Sequence, residues 1–172
     1  MKLIEPTIAY ERQIREYRSK FLYPGASMDG GGSLIRYENV AEWLELVRAN
    51  KSPETVKPGL VPATQYVFVR EEDEKIVGVL QIRHFLNPAL VCYSGHIGYS
   101  VAPDERRKGY ATQMLRLALD ECRKRGIRRA LITCVRGNEG SRMTILKCGG
   151  VWESTVYQAE KDRYLERYWI DL

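Results

Sequence analysis

Six residues between a strand pattern and a helix pattern have the composition of an anion-binding turn. Three basic side chains come first and a glycine follows, so a ligand could reach the main chain without meeting a Cβ atom. The free N–H groups at the start of the helix would point at the same spot and attract phosphate. A plain helix cap with solvated charges also fits such a short pattern. The segment predicts a pyrophosphate site formed by Arg106, Arg107, Lys108, Gly109, Tyr110 and Ala111.

The residues on both sides of this turn predict the elements that position it. From Gly95 to Val101, bulky residues alternate with small or polar ones, which is typical of a β-strand. After Gly109 the apolar residues recur every three or four positions, which is typical of an amphipathic helix, and Gly126 follows the basic last turn of that helix. The turn is therefore expected at a junction between a strand and a helix.

Together with a segment further along the chain, these patterns resemble one enzyme family. The segments that carry the resemblance are Ile97–Val101, the spacing Arg106-x-x-Gly109-x-Ala111, and Asn138-x-x-Ser141 followed by Gly149 and Gly150. In combination they resemble the GNAT family of acetyl-CoA-dependent N-acetyltransferases. The similarity runs from Val67 to Leu172.

The resemblance implies acetyl-CoA as the co-substrate, and no metal site is predicted. In that family the turn that matches Arg106–Ala111 holds the coenzyme A pyrophosphate through main-chain amides. The strand edge that matches Tyr99, Ser100 and Val101 carries the pantetheine and the thioester, and the Val101 amide is expected to donate to the thioester oxygen. Asn138 and Ser141 resemble positions that contact the pantetheine arm or the thiol. A helix-capping role is the alternative for both.

The whole chain predicts a single α+β domain over residues 1–172, of which residues 65–172 are most clearly family-like. We expect a GNAT-like, mostly antiparallel sheet with flanking helices and one parallel β-α-β pair, made by Gly95–Val101, the central helix and a buried strand at Ala130–Val135. Pro24 and Gly25 are expected to end the first helix. The other predicted elements are Leu3–Pro6, Ile8–Leu22, Glu38–Ala49, Tyr66–Val69, Ile76–Arg83, Asn138–Lys147, Val151–Tyr157 and Tyr164–Leu172.

The proton transfers that amine acetylation requires point to a few titratable residues. An amine with a pKa near 10.4 is neutral in only about one molecule in 10³ at pH 7, so a base is valuable. His96 stands in or beside the position where the family often has a carboxylate base; the alternative is that it only hydrogen-bonds a neighbouring strand. His84 is a weaker candidate. Ile145 occupies the position of the family's general-acid tyrosine, so the thiol would leave as a thiolate or take its proton from a substitute such as Tyr99 or Tyr157.

The composition fits a globular protein of the cytoplasm. A net charge of +5 and a pI near 9.0 suit either an anionic co-substrate or a nucleic acid. The four cysteines form no C-x-x-C pair, which favours reduced thiols over a disulfide framework. We find no apolar run long enough to span a membrane and no signal-peptide pattern.

Acetyl transfer to the primary amine of a small molecule or peptide is the function that these observations favour. The alternatives are a catalytically silent acetyl-CoA sensor and a basic RNA-binding module. Against RNA, the basic residues between Arg123 and Arg129 cluster at a helix end rather than among aromatic residues on a sheet. The acceptor is not predicted, although the loops Gly25–Ser33 and Asn50–Ala63 are expected to shape its pocket. A homodimer is left open.

Overall fold

Two antiparallel sheets form the frame of the molecule in the computed structural model, which describes residues 1–23 and 25–172. The strands are β1 (Lys2–Ile4), β2 (Ala63–Arg70), β3 (Lys75–Arg83), β4 (Ile97–Val101), β5 (Arg129–Val135), β6 (Val151–Gln158) and β7 (Arg163–Asp171). The first sheet has the order β1-β2-β3-β4 and the second has the order β5-β7-β6. The mixed, mostly antiparallel α+β class that the sequence predicts is confirmed.

The α-helices of the described residues are α1 (Glu11–Ser19), α2 (Val40–Ala49), α3 (Pro88–Tyr93), α4 (Tyr110–Lys124) and α5 (Glu139–Lys147). All except α3 lie where the sequence predicts a helix. The short α3 begins with a proline and is capped by Asn87, whose Oδ1 accepts a hydrogen bond from Leu90 N–H at 3.0 Å. Pro24, which is predicted to end the first helix, lies outside the described residues.

The first sheet is buried on both faces, which explains its continuous apolar runs. Helices α1 and α2 place Ile14, Tyr17 and Trp43 in one apolar cluster with Val67 and Val79 of the sheet. Helix α4 places its own apolar stripe in a second cluster, with Phe68, Leu80 and Ile82 of β2 and β3 and with residues of the second sheet. The helix that follows the basic turn is therefore held by a core that joins both sheets.

The predicted parallel pairing of the strand after Gly95 with the strand at Ala130–Val135 is wrong, because β4 and β5 belong to different sheets. They meet only at one end, where His96 N–H donates to Leu131 O at 2.7 Å and Gly95 forms an isolated bridge with Ile132. Beyond that bridge both strands line one cavity. The sequence shows that both strands are buried, but it does not show that a cleft separates them.

The four cysteines are free thiols; Cys122 and Cys134 are buried, Cys148 is half-buried and Cys92 is exposed. Among the helices of residues 1–23 and 25–172, none combines the length and the apolar character needed to cross a bilayer. In the same residues, no three His, Cys, Asp or Glu side chains are grouped closely enough to hold a metal ion.

Candidate functional site

A cavity of about 1060 Å³ lies between the two sheets, where β4 and β5 separate. The start of α4 and the start of α5 line one part of it. The loop before α2, the end of α3 and Arg83 of β3 line the other part. We call these parts the turn side and the loop side. Since both line one continuous space, two different molecules could meet beside β4.

The β4 strand offers main-chain hydrogen-bonding groups to this cavity. Ala102 N–H donates to Val77 O at 2.9 Å and Arg83 N–H donates to His96 O at 2.8 Å, so alternate residues of β4 pair with β3. The intervening residues, Tyr99 and Val101 among them, therefore direct their N–H and C=O groups away from β3. Because β4 is the last strand of its sheet, these groups face the cleft.

The turn after β4 bends through two left-handed residues, Arg107 at φ 65° and Gly109 at φ 81°. Gly109 is the N-cap of α4 and no side chain caps the helix, so the first N–H groups of α4 have no side-chain acceptor. A Cβ atom built on Gly109 would meet nothing within 4 Å, which shows that the space above this main chain is open. Exposed Arg106 and Arg107 line the same space, and the site has the properties of an anion cradle.

A buried carboxylate, Glu105, anchors the turn through a network of ion pairs. Only 3% of Glu105 is exposed, and it accepts hydrogen bonds from Lys108 at 2.8 Å, from Arg70 at 3.0 Å and from Lys75. Burial alone would raise the pKa of Glu105, but these cationic donors outweigh it and hold the pKa at about 2. The Lys108 side chain therefore serves this ion network. It lies outside the cavity lining of the described residues, unlike Arg106 and Arg107.

The start of α5 forms the wall opposite β4. Asn138 Oδ1 accepts from Ser141 N–H at 3.1 Å, so Asn138 caps the helix while it lines the cavity. The Ser141 hydroxyl shares a hydrogen bond of 3.0 Å with the Tyr99 hydroxyl, and burial raises the pKa of Tyr99. The structure thus brings Tyr99 and Ser141 together. Ile145, in contrast, is fully buried in the core and does not face the cavity.

Both histidines lie outside the cavity lining of the described residues. His96 is 8% exposed, and its Nδ1 accepts a hydrogen bond from Leu131 N–H at 3.0 Å. A neutral imidazole bonded in this way carries its proton on Nε2, so the ring has no free lone pair with which to accept a second proton. Burial and the nearby charge of Arg83 lower the pKa of His96 to about 4. His84 is bonded through Nε2 to Thr64 Oγ1 at 2.8 Å.

The loop side is held close to β4 by main-chain contacts. A Cβ atom on Gly30 would lie 2.1 Å from Gly98 O, so the loop approaches β4 more closely than any other residue type would allow. Gln65 Nε2 donates to Gly30 O at 2.7 Å and Trp43 Nε1 donates to Gly32 O at 3.1 Å. Of the two loops expected to shape a pocket, Gly25–Ser33 therefore lies at the cavity.

Several lining residues are missed by the sequence reasoning, namely Arg83, Thr112, Thr133, Cys134, Thr144 and Lys147, and Asp29 is not singled out within the loop that is expected to shape the pocket. They come from loops and elements that only the tertiary fold brings together. Position 83 is the last residue of an ordinary strand pattern, and position 29 lies in a glycine-rich loop without a motif. The glycines at positions 30 to 32 are the only sequence signal on this side, since they allow a close main-chain approach.

The sequence model of the Acetyltransferase (GNAT) family matches residues 35–149, more than half of the 172 residues. The chain belongs to the GNAT acetyltransferase family. The match includes β4, the basic turn, α4 and the start of α5, and it ends just after α5. No curated protein sequence matches this acetyltransferase.

Solved structures of other acetyltransferases share the fold of this family member at low identity. Ribosomal-protein-S5-alanine acetyltransferase from Vibrio fischeri superposes with a TM-score of 0.70 at 16% identity, over 98% of this chain and 91% of that one. Dodecameric spermidine N-acetyltransferase from Vibrio cholerae gives 0.65 at 15%, over 99% and 92%. The microcin C7 self-immunity acetyltransferase MccE, in complex with acetyl-CoA and AMP, gives 0.68 at 20%, over 99% and 91%. At these identities the likeness shows the fold alone.

As a member of this family, the protein is an acyl-CoA-dependent N-acetyltransferase whose co-substrate is acetyl-CoA. The residues of the turn side fit that molecule. The left-handed turn and the uncapped start of α4 offer N–H groups and positive charge to a pyrophosphate. The edge of β4 pairs with no further strand and offers main-chain groups at strand spacing, as an extended amide-containing arm requires, although Val101 O also accepts a hydrogen bond from Arg106 Nε at 3.2 Å.

Proposed function

We propose that this acetyltransferase moves the acetyl group of acetyl-CoA to the primary amine of a small molecule or peptide, within one domain over residues 1–172. One observation supports the proposal most directly: the anion cradle at Gly109 and the open edge of β4 line the same cavity as a separate loop side. A binding site for coenzyme A alone would need only the turn side. The additional space beside Gly98 is where an acceptor would approach the thioester.

Each part of the turn side has a proposed task. The amides from Arg107 to Ala111 bind the pyrophosphate, with Arg106 and Arg107 adding charge. The outward main-chain groups of Tyr99 and Val101 align the arm, and the Val101 amide donates to the thioester oxygen as negative charge develops there. Ser100 and Asn138 line the path of the arm.

The departing thiol requires less help than the attacking amine does. A thiol with a pKa near 8.5 leaves at neutral pH at a cost of about 2 kcal/mol, whereas a lysine-like amine must first lose a proton at a cost of about 5 kcal/mol. We propose the hydrogen-bonded pair of Tyr99 and Ser141 as the proton source for the thiolate, because both line the cavity beside β4. Tyr157 donates to Asp162 at 2.7 Å and lies outside the lining of the described residues.

His96 as the base that deprotonates the amine stays a prediction, and its geometry favours the alternative of a structural hydrogen bond to the neighbouring strand. With its Nδ1 lone pair engaged, His96 would have to break that bond before accepting a proton. A water chain, or an acceptor whose own pKa is depressed in the cavity, requires no such rearrangement. We propose one of these two routes for the proton.

The basic side chains at the end of α4 and the start of β5, where the RNA-binding alternative would place its surface, are largely paired with acidic residues of the same chain. Arg123 pairs with Asp120 at 2.6 Å, Lys124 pairs with Glu121 at 2.6 Å, and Arg129 Nε pairs with Asp171 at 2.7 Å. These exposed pairs lower the local positive potential that phosphate binding would need. The RNA-binding alternative therefore receives no support from this surface, and the silent sensor is the alternative that remains to be tested.

The decisive experiment combines binding with turnover. We expect calorimetry to show acetyl-CoA binding, and we expect coenzyme A release, followed with a thiol reagent, to rise above background when primary amines are added. Acetyl-CoA binding without amine-stimulated release across free amino acids, polyamines, aminoglycosides and peptides would favour the sensor. Binding of RNA with a steep salt dependence and no response to acetyl-CoA would contradict the proposal.

A further inference from the structure

Arg83 is a half-buried cation that faces the loop side of the cavity. Its Nη1 donates to Gly95 O at 3.0 Å and to Ser94 O at 3.4 Å. Its Nη2 lies 3.7 Å from where a Cβ atom of Gly98 would stand, so the guanidinium is seated directly beside β4. In the described part of the chain, no carboxylate oxygen comes within 4.0 Å of the Arg83 nitrogens. Arg83 is thus held by two carbonyl groups and has no ionic partner.

The remaining N–H groups of Arg83 are available to a ligand in the cavity. A guanidinium carries five N–H donors in a planar fork, and the two carbonyl contacts use only Nη1. Burial lowers the pKa of Arg83, which means that the site disfavours the charge that it carries. A carboxylate matches the free side of the fork with two parallel hydrogen bonds, and the charge of each partner compensates the other.

The position of Arg83 is close to the place of reaction. Gly98 lies beside the guanidinium. Tyr99 and Val101, whose main chain faces the cleft, follow Gly98 by one and three residues. At about 3.3 Å per residue, these two positions lie roughly 3 Å and 10 Å along the strand from Gly98. Arg83 and Gly98 line the same cavity as Tyr99 and Val101, so no separate compartment divides the guanidinium from that edge.

A carboxylate of the protein occupies another part of the loop side. Asp29 is exposed at the cavity, and its Oδ2 accepts a hydrogen bond from Ser27 Oγ at 2.9 Å. Its charge is near enough to favour the protonated form of Arg83, although the two are not within ion-pair distance. The loop side therefore presents a cation and an anion with a gap between them.

We propose that the acceptor is an amino acid or a close analogue, which places its carboxylate on Arg83 and its ammonium group toward Asp29. This inference rests on the proposed function and names its substrate class. A molecule with both charges close together would complete the hydrogen bonds of Arg83, and its amine would lie in the same cavity that β4 lines. A polyamine offers only positive charge, and Arg83 would repel it.

The test compares acceptors that differ only in the carboxylate. The probes are an equimolar mixture of the twenty standard L-amino acids, the matching mixture of their carboxamides, and spermidine, each given with acetyl-CoA. We expect kcat/KM for the amino-acid mixture to exceed that for the carboxamides by roughly 10²-fold, which is what a charge-assisted pair of hydrogen bonds supplies. Mass spectrometry of the products then identifies the preferred member.

Variants assign that preference to Arg83. Arg83→Gln should lower kcat/KM for the preferred amino acid by about 10²-fold and change the value for its carboxamide by less than about threefold; Arg83→Lys should recover part of the loss. Arg107→Gln is the matched control, because it removes a cavity-lining guanidinium on the turn side. It should raise KM for acetyl-CoA equally with both acceptors. Unchanged melting temperatures would show that each variant is folded.

The possible failures have different signatures. Equal rates with amino acids and carboxamides, or a preference for spermidine, would overturn the acceptor class while leaving amine acetylation intact. Loss of activity in Arg83→Gln that is the same for both acceptors would assign Arg83 to the support of Gly95 and overturn the proposal as well. Acetyl-CoA binding without release by any probe would overturn both this inference and the proposed function.

Discussion

The turn side and the loop side of the cavity are built from different chemical groups. On the turn side, main-chain N–H groups between Arg107 and Ala111 and along β4 line the cavity beside the guanidinium groups of Arg106 and Arg107, and Glu105 anchors the turn through Lys108. On the loop side, the charges belong to side chains, those of Arg83 and Asp29. A site made of main chain depends on backbone conformation, whereas a site made of side chains changes with single substitutions.

This difference explains why the turn side can be recognised in the sequence and the loop side cannot. A left-handed turn that must leave its amides free requires glycine at particular positions, so the turn side has a recognisable pattern. Many side chains could provide the loop side, and each would suit another acceptor. Proteins with 15% to 20% identity to this chain keep the fold, and one of them is seen with acetyl-CoA. Their acceptors do not transfer to this chain.

The largest effect is expected from a substitution that disturbs the main chain of the turn side. Gly109→Asp adds a negative charge beside the proposed pyrophosphate, and aspartate tolerates the left-handed conformation at φ 81°, so the fold should persist. We expect acetyl-CoA affinity to fall by roughly 30- to 100-fold, which corresponds to about 2 to 3 kcal/mol of partly screened repulsion. Calorimetry measures the change directly.

Gly109→Asn is the matched control, because it adds nearly the same atoms without the charge. It should lose less than about tenfold in affinity if the charge is decisive. Equal losses in the two variants would assign the effect to bulk above the main chain. A folded Gly109→Asp protein with unchanged affinity would show that coenzyme A binds elsewhere.

The sequence predicts the helices and strands well, but it does not predict which strands pair with one another. The turn, α4, the hairpin of β2 and β3, and the capping of α5 by Asn138 all follow from local patterns. The separation of β4 from β5 does not, because a strand buried against helices has the same apolar pattern whichever sheet it joins. The pairing of Lys108 with Glu105 also escapes sequence reasoning, since a basic residue three positions from an acidic one often stays solvated.

A second substitution tests whether the absence of a tyrosine at position 145 of α5 limits the rate of turnover. Ile145 is fully buried, and a Cβ atom on Gly150 would already lie 2.4 Å from its Cγ2. We expect Ile145→Tyr to destabilise the protein by about 1 to 3 kcal/mol through overpacking and to bring no gain in turnover. Denaturant unfolding and steady-state kinetics check both statements, with Ile145→Val as the smaller control. A stable variant with much higher kcat would show that a missing acid limits the rate.

A smaller effect is expected when the turn side loses its one proposed side-chain acid. Tyr99→Phe removes the hydroxyl that meets Ser141 at 3.0 Å and leaves the main chain of β4 unchanged. Because a thiolate leaves fairly well near neutral pH, we expect kcat to fall by no more than about tenfold and acetyl-CoA affinity to change little. Tyr157→Phe, at an exposed position outside the lining, should behave as wild type. A loss of 10³-fold would show that protonation of the thiol controls the rate.

The smallest effect on activity is expected for the residue that sequence reasoning places at the catalytic step. If His96 only supports the junction between β4 and β5, His96→Gln retains an acceptor for Leu131 N–H and should keep nearly full kcat/KM with the same acidic limb. A general base would instead cost about 10²- to 10⁴-fold and shift that limb. The pH profile of kcat/KM for the two proteins therefore separates the two roles of His96.

Stability supplies an independent readout of the same substitution. The folded-state pKa of His96 is about 4, below its usual 6.5, so the unfolded chain binds more protons between these two values. Its contribution to stability is present above pH 6.5 and is lost as the pH falls toward 4, by roughly 3 kcal/mol in total. The free energy of unfolding should therefore fall less on acidification in His96→Gln than in wild type. If the two curves are parallel, the His96 imidazole is protonated as readily in the folded protein as in the unfolded chain. In that case the hydrogen bond through Nδ1 does not prevent His96 from acting as a base.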